Sequence, residues 1–128
     1  MDLLLDTHTL IWFLNGNKKD LSIPARTEIE NSENSSFVSV VSLWEMAIKM
    51  KLGTLTFKPG YDNLLTLIDQ NGFELLPITF QRTQTLLTLE MHHRDPFDRL
   101  LIAQCIVEGM TFISKDSNIS KYPVRWLW

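Results

Sequence analysis

Apolar and polar positions along this 128-residue chain switch repeatedly between a strand-like and a helix-like period. The block Leu3-Leu4-Leu5 ends at Asp6 and predicts a first strand over 2–6. Residues 8–14, aromatic and apolar, predict a helix stopping near Asn15-Gly16-Asn17. Over 21–31, Leu21, Ala25 and Ile29 share a helical face, with Pro24 in the first turn. A second strand is expected over 35–40. The following helix, 41–52, places Val41, Trp44, Ile48 and Leu52 on its apolar face and stops at Gly53. A connector at 55–59 leads to a helix over 61–70, a third strand over 73–76 and a helix over 79–89. Asp95-Pro96 then opens a nearly all-apolar helix that ends at Gly109. A fourth strand is expected over 110–114, and an edge strand over 124–127 after Pro123. Strands that alternate with helices predict an α/β fold with a parallel sheet covered on both faces. No repeat or linker interrupts the pattern, and the length suits a single domain over 1–128.

Charge narrows the function. Twelve Lys and Arg against 15 Asp and Glu give a net charge of -3, which argues against a broad basic surface that grips nucleic acid. An acidic pocket filled by cations remains open to phosphate, and an acidic protein suits a basic partner segment. The single cysteine, Cys105, lies in an apolar run and reads as packing in a reducing compartment. Acids on both sides of Leu3–Leu5 are wrong for a signal peptide, and no apolar stretch approaches the roughly 18 residues of a membrane span. A cytoplasmic protein without membrane contact is expected.

The candidate chemistry lies in the acids, each of which also has a structural reading. Asp6 and Asp116 follow strands and precede helical segments, as N-caps do. Glu45 follows Ser42 by three residues, as in a capping box, and precedes Lys49 by four, as in an ion pair. Asp98 follows Asp95 by three with Pro96 between them, a helix start, and Asp95 is placed to pair with Arg99. Placement goes further than capping requires. Two acids leave the carboxyl ends of strands, where ligands bind in open α/β sheets, and two lie in first turns of helices. Two bare carboxylates about 4 Å apart cost roughly 4 kcal/mol at an effective dielectric near 20, so either a proton or a cation must neutralise such a cluster. Oxygen-only ligands suit Mg2+ or Mn2+ rather than zinc.

Four stretches, in order, resemble the PIN-domain nucleases, in particular the VapC-like ribonuclease toxins of bacterial toxin–antitoxin pairs. They are Leu3-Leu4-Leu5-Asp6-Thr7-His8-Thr9-Leu10-Ile11-Trp12, Ser42-Leu43-Trp44-Glu45-Met46-Ala47-Ile48-Lys49, the distinctive His93-Arg94-Asp95-Pro96-Phe97-Asp98-Arg99-Leu100-Leu101-Ile102-Ala103-Gln104, and Ile113-Ser114-Lys115-Asp116. The resemblance covers nearly the whole chain. It implies a three-layer fold with strand order 3-2-1-4-5, a homodimer and an antitoxin that reaches the active site. It also implies metal-dependent hydrolysis of RNA leaving a 3′-hydroxyl and a 5′-phosphate. Asp6, Glu45, Asp98 and Asp116 would be the catalytic acids. Asp6 and Asp98 would bind Mg2+ (or Mn2+) directly, with Glu45 and Asp116 acting partly through water. Asp95 is an additional acid, one turn from Asp98.

The surroundings have their own readings. Thr7 and Ser114 are placed to hold waters near the acids, or to cap locally. Lys49, Arg94, Arg99 and Lys115 flank the acids and suit RNA phosphates, solvated charge or ion pairs. His92 and His93 would point apart on regular structure, and His8 reads as packing or support for Asp6. Trp12, Trp44 and Phe97 read as core, with base stacking the minority reading; Trp126 and Trp128 read as packing or interface. Two alternatives stand beside the ribonuclease. One is an aspartyl-nucleophile phosphatase of the haloacid-dehalogenase type, disfavoured because His8 stands where its second acid belongs. The other is a PIN-like fold kept only as an interaction module.

Overall fold

The computed structural model describes residues 1–128. Five parallel strands, β1 (Asp2–Leu5), β2 (Ser35–Ser39), β3 (Glu74–Leu76), β4 (Thr111–Ile113) and β5 (Arg125–Leu127), form one sheet in the order β3-β2-β1-β4-β5. Helices α1 (Thr7–Asn15), α2 (Ile23–Glu30), α3 (Val40–Lys51), α4 (Leu64–Gln70), α5 (Phe80–Leu86) and α6 (Pro96–Glu108) cover it. The three-layer α/β fold and strand order expected above are those observed.

The central strand explains why Leu3-Leu4-Leu5 is apolar without alternation. Leu3 and Leu5 lie in one hydrophobic core with Leu10, Ala25, Met46 and Ile68, whereas Leu4 faces a second core with Leu101, Ile102 and Phe112. A strand buried on both faces reads as a continuous apolar run. Residues Leu100–Cys105 of α6 are likewise buried all round. The chain leaves β1 for β2 on one side and returns to β4 on the other, so the strand order reverses beside β1. That reversal opens the crevice where open α/β sheets bind ligands. Leu5 pairs with Ile113 there, which brings the residues after both strands together.

The face of α3 differs from the expected one. Its buried residues are Val41, Ser42, Glu45 and Met46, whereas Trp44 is 54% and Leu52 is 70% exposed, and Ile48 is exposed as well. Hydrophobic period alone put the stripe on the wrong side because Ser42 and Glu45 are polar yet fully partnered when buried. Trp44 is therefore not core; it meets Phe97 edge-on with ring centroids 5.0 Å apart. The helices expected over 61–70 and 79–89 are shorter: a 3-10 turn, Tyr61–Asn63, precedes α4, and α5 ends at Leu86. No helix is long and apolar enough to cross a membrane.

Candidate active site

Asp6 leaves β1 with its backbone N–H bonded to the Ile113 carbonyl at 3.0 Å. Its side chain does not cap α1. Instead Oδ2 accepts the Ser114 hydroxyl at 2.7 Å, while Ser114 Oγ accepts the Asp116 N–H at 3.1 Å. The buried Ser114 thus couples the acid after β1 to the backbone after β4, rather than acting only as a local cap.

Glu45 reaches the crevice from the buried face of α3 and is only 2% exposed. Ser42 is not its capping partner, because Ser39 caps α3 by accepting the Val41 N–H at 3.0 Å. Thr7 donates to Glu45 Oε1 at 2.8 Å, and Ser42 Oγ lies 2.8 Å from Thr7 Oγ1. Thr7 has one hydroxyl hydrogen, so Ser42 donates to Thr7 and the three form a directed chain. Lys49 Nζ holds Oε2 at 2.5 Å, the expected i,i+4 pair. Its ammonium also lies in the field of Asp95 and Asp98, and its pKa is raised, chiefly by the hydrogen bond to Glu45.

Asp98 stands in the first turn of α6. Asp95 is the N-cap: its Oδ1 accepts the N–H groups of Phe97 at 2.8 Å and Asp98 at 3.3 Å. The ion pair expected between Asp95 and Arg99 is absent. Arg99 Nη2 instead reaches the carbonyls of Leu86 and Leu89, both at 3.5 Å, because the guanidinium folds back toward the end of α5. The Asp98 carboxyl accepts no hydrogen bond from the protein. Burial, followed by the charges of Asp6, Asp95 and Glu45, pushes its pKa up to about 7. Asp6 is raised as well, by burial foremost and by Glu45, against the pull of Ser114 and His8.

Asp116 has the opposite surroundings. Oδ1 accepts the Asn118 N–H at 2.9 Å, so the N-cap reading holds, and Oδ2 is bonded to His93 Nε2 at 2.5 Å. Tyr122 Oη completes the chain at 2.9 Å from His93 Nδ1. Burial raises the Asp116 pKa, but the bonds from His93 and Asn118 outweigh it and the net direction is down. His93 is the site residue that sequence reasoning missed. The two histidines do diverge, His92 toward Glu90 and His93 toward Asp116. The partner lies 23 residues downstream, and spacing carries no signal of that bond.

The remaining candidates divide. Lys49 is committed to Glu45, Arg94 is exposed, and Lys115 Nζ stands 5.8 Å over the Trp12 ring. Trp126 donates to the Ser114 carbonyl at 2.7 Å, and Trp128 packs on Trp12. Asp6, His8, Trp12, Lys115 and Asp116 line a cavity of about 300 Å3. A larger one of about 590 Å3 lies away from the acids, between Thr85–Glu90 and Lys121–Pro123, and holds none of them.

Whether a divalent cation suits this site can be judged from the acids themselves. No three of these side chains converge closely enough to ligate one ion as they stand. Charge and donor type fit: the charge of Glu45 raises the cost of ionising Asp6, those of Asp6, Asp95 and Glu45 raise that of Asp98, and the ammonium of Lys49 already answers the field of Glu45, Asp95 and Asp98. Commitment to protein donors rises from Asp98, with none, through Asp6, with Ser114 as its one side-chain donor, to Glu45 and Asp116, each with both oxygens engaged. Asp98 and Asp6 are therefore freest to turn toward a hard cation.

Comparison with known proteins follows the same lines. The PIN domain family matches residues 3–124. No curated protein matches the chain. Among solved structures, it is similar to VapBC2 from Rickettsia felis bound to a DNA fragment from their promoter, at TM-score 0.70 and 15% identity, covering 99% of this chain and 98% of that one. It is also similar to VapBC-1 from nontypeable Haemophilus influenzae (TM-score 0.61, 13% identity, 99% and 97% covered). VapBC-5 from Mycobacterium tuberculosis, of the VapBC family of toxin-antitoxin systems, is comparable (TM-score 0.61, 15% identity, 98% and 97% covered).

Proposed function

The chain belongs to the PIN domain family, and from that premise we propose that it is a divalent-metal-dependent endoribonuclease, the toxin of a toxin–antitoxin pair. Hydrolysis of nucleic acid is what this family generally does, and the family match sets aside the aspartyl-phosphatase alternative. The observation that carries the reading is Asp98: a carboxyl without a protein donor, beside Asp6 and Glu45, whose pKa is pushed up to about 7 by burial and their charge. An uncompensated carboxylate in a crevice is the kind of group that functional sites retain.

In this reading Asp98 and Asp6 would hold Mg2+ or Mn2+ directly, with Glu45 and Asp116 contributing partly through water. The bound cation would lower the cost of ionising an attacking water and offset charge on the phosphate and the leaving oxygen. The protein's own part is positional. Ser114 fixes the rotamer of Asp6, Thr7 and Ser42 fix Glu45, and His93 with Asn118 fixes Asp116. Lys49 neutralises the cluster from within. The products would carry a 3′-hydroxyl and a 5′-phosphate. An antitoxin partner is part of the proposal, supported by the VapBC structures that share the fold and by the acidic charge of the chain, which suits a basic partner segment; a homodimer is part of it only through the family resemblance.

The test is RNA cleavage with Mg2+, with Mn2+ and with EDTA, for the wild type, Asp6→Asn and Asp98→Asn. Cutting that needs the metal and disappears in both folded variants is expected. Cutting that survives EDTA, or that both variants retain, would overturn the assignment.

A further inference from the structure

The cavity of about 300 Å3 beside the acids has a lining that carboxylate chemistry does not account for. Two of its walls, Asp6 and Asp116, belong to the acidic site. The others are His8, Lys115 and Trp12, its one hydrophobic residue. The volume is at the low end for ligand pockets, fitting one planar ring system rather than two. Trp12 is only half-buried. Trp128 supports it with ring centroids 6.0 Å apart, and His8 tilts against it at 5.9 Å, so the indole is held in place while part of it faces the cavity. Lys115 Nζ stands over the ring at 5.8 Å, and Lys115 is exposed. At an exposed site the attraction of an ammonium for an indole is weak, and a flat π-surface competes well with it.

The chemistry of the walls selects among occupants. A free anion would meet Asp6 and Asp116. A neutral heterocycle meets no such repulsion and offers a face to Trp12 and N–H edges to the carboxylate rim.

We propose that this cavity receives one unpaired nucleobase of the RNA strand, stacked on Trp12, next to the phosphate held at the acids. Only its placement relative to the scissile bond rests on the nuclease reading. A base can stack there only if it has left its neighbours, so a paired base is excluded from this pocket and an unpaired one is admitted. Stacking tolerates every base, so the pocket sets strandedness and register more than sequence.

The test measures binding and cutting separately. A fluorescent single-stranded RNA of mixed sequence, a matching duplex, and a series of strands of the same length with a growing number of abasic positions, up to all of them, are titrated against the whole chain in EDTA. Expected are weaker binding of the duplex and about tenfold weaker wild-type binding of the fully abasic strand. Trp12→Ala should weaken the intact strand similarly and lose most of its sensitivity to base removal, whereas Trp12→Phe should stay close to wild type. The abasic series uses the wild-type protein, so it decides the matter even if Trp12→Ala unfolds. A flat abasic series, or intact-strand affinity unchanged in folded Trp12→Ala, overturns the base pocket, including the case where the cavity serves a protein partner instead. RNA cut with Mg2+ despite a flat series would sink this inference alone. Base-dependent binding without cutting in Mg2+ or Mn2+ would support the pocket and sink the nuclease reading.

Discussion

Asp98 and Asp116 flank the same sheet edge, and both stand where a helical segment begins, yet they occupy opposite environments. Asp98 accepts nothing from the protein and lies in the field of three other acids, which with burial pushes its pKa up to about 7. Asp116 has each oxygen bonded and a pKa drawn down by His93 and Asn118. Both read in the sequence as acids at helix starts, and it is their surroundings that separate them. A carboxylate already satisfied by N–H donors gains little from a cation, whereas one held against its neighbours' charge gains the relief of that repulsion. The two sides of the crevice divide the work accordingly. The α6 side has an unmet demand for positive charge, and the β4 side is a fixed rim.

The largest expected effect breaks this comparison directly. Asp98→Asn should reduce RNA cleavage to background, while Asp116→Asn should retain activity lowered about 10–100-fold, the size of loss typical when a supporting partner of a metal site is removed. Mn2+ binding followed by electron paramagnetic resonance should show the same order without relying on catalysis. Equal losses in both variants would make the two acids equivalent after all.

Next in size is stabilisation by metal. At a concentration about 100 times its Kd, Mg2+ should stabilise the wild type by about 2.7 kcal/mol, seen as a rise in melting temperature. Asp98→Asn should lose most of that rise and Asp116→Asn little of it. A full rise in Asp98→Asn would place the cation elsewhere.

The contrast was only half legible in the sequence. The blocks around Asp6, Glu45, Asp98 and Asp116 announced the acids, and the alternation of strands and helices announced the sheet edge that gathers them. Helix starts were legible too, because capping is local: Asp95-Pro96 reads as it folds. What depended on distant partners was hidden. Glu45 looked like half of a capping box because Thr7, the donor to its Oε1, is 38 residues away. Trp44 looked like core because the polar residues of the true buried face find partners only in three dimensions. His93 had no visible role because the loop before α6 turns it toward Asp116.

A smaller effect sharpens the β4 side. His93→Ala removes one donor from Asp116 and leaves the backbone bond from Asn118. Cleavage should fall about tenfold, with His93→Gln recovering part of it because an amide can still donate. The rise in melting temperature with Mg2+ should persist in both variants. A loss of that rise would mean that His93 supports the cation on the α6 side instead.

The finest test uses protons in place of metal. In EDTA, folded Asp98 keeps its proton up to about pH 7, whereas the unfolded chain releases it near 3.8. Across that window the native state binds more protons, so stability falls as pH rises. Asp98→Asn cannot ionise and escapes the fall. It should melt higher than wild type near pH 8, by about 4 °C for about 1 kcal/mol once partial exposure is discounted, with the advantage gone by about pH 4. Asp116 runs the other way. Its folded carboxyl lies below the ordinary value, so it contributes stability above about pH 4 that is lost as pH falls through the folded pKa. Asp116→Asn should therefore melt lower than wild type at pH 8 and converge with it in acid. Two acids at one sheet edge would then change stability with opposite sign, a result that capping at helix starts does not produce. If both variants instead shift in the same direction across the range, the difference in their surroundings has no energetic consequence, and Asp98 loses its claim to be the residue awaiting a cation.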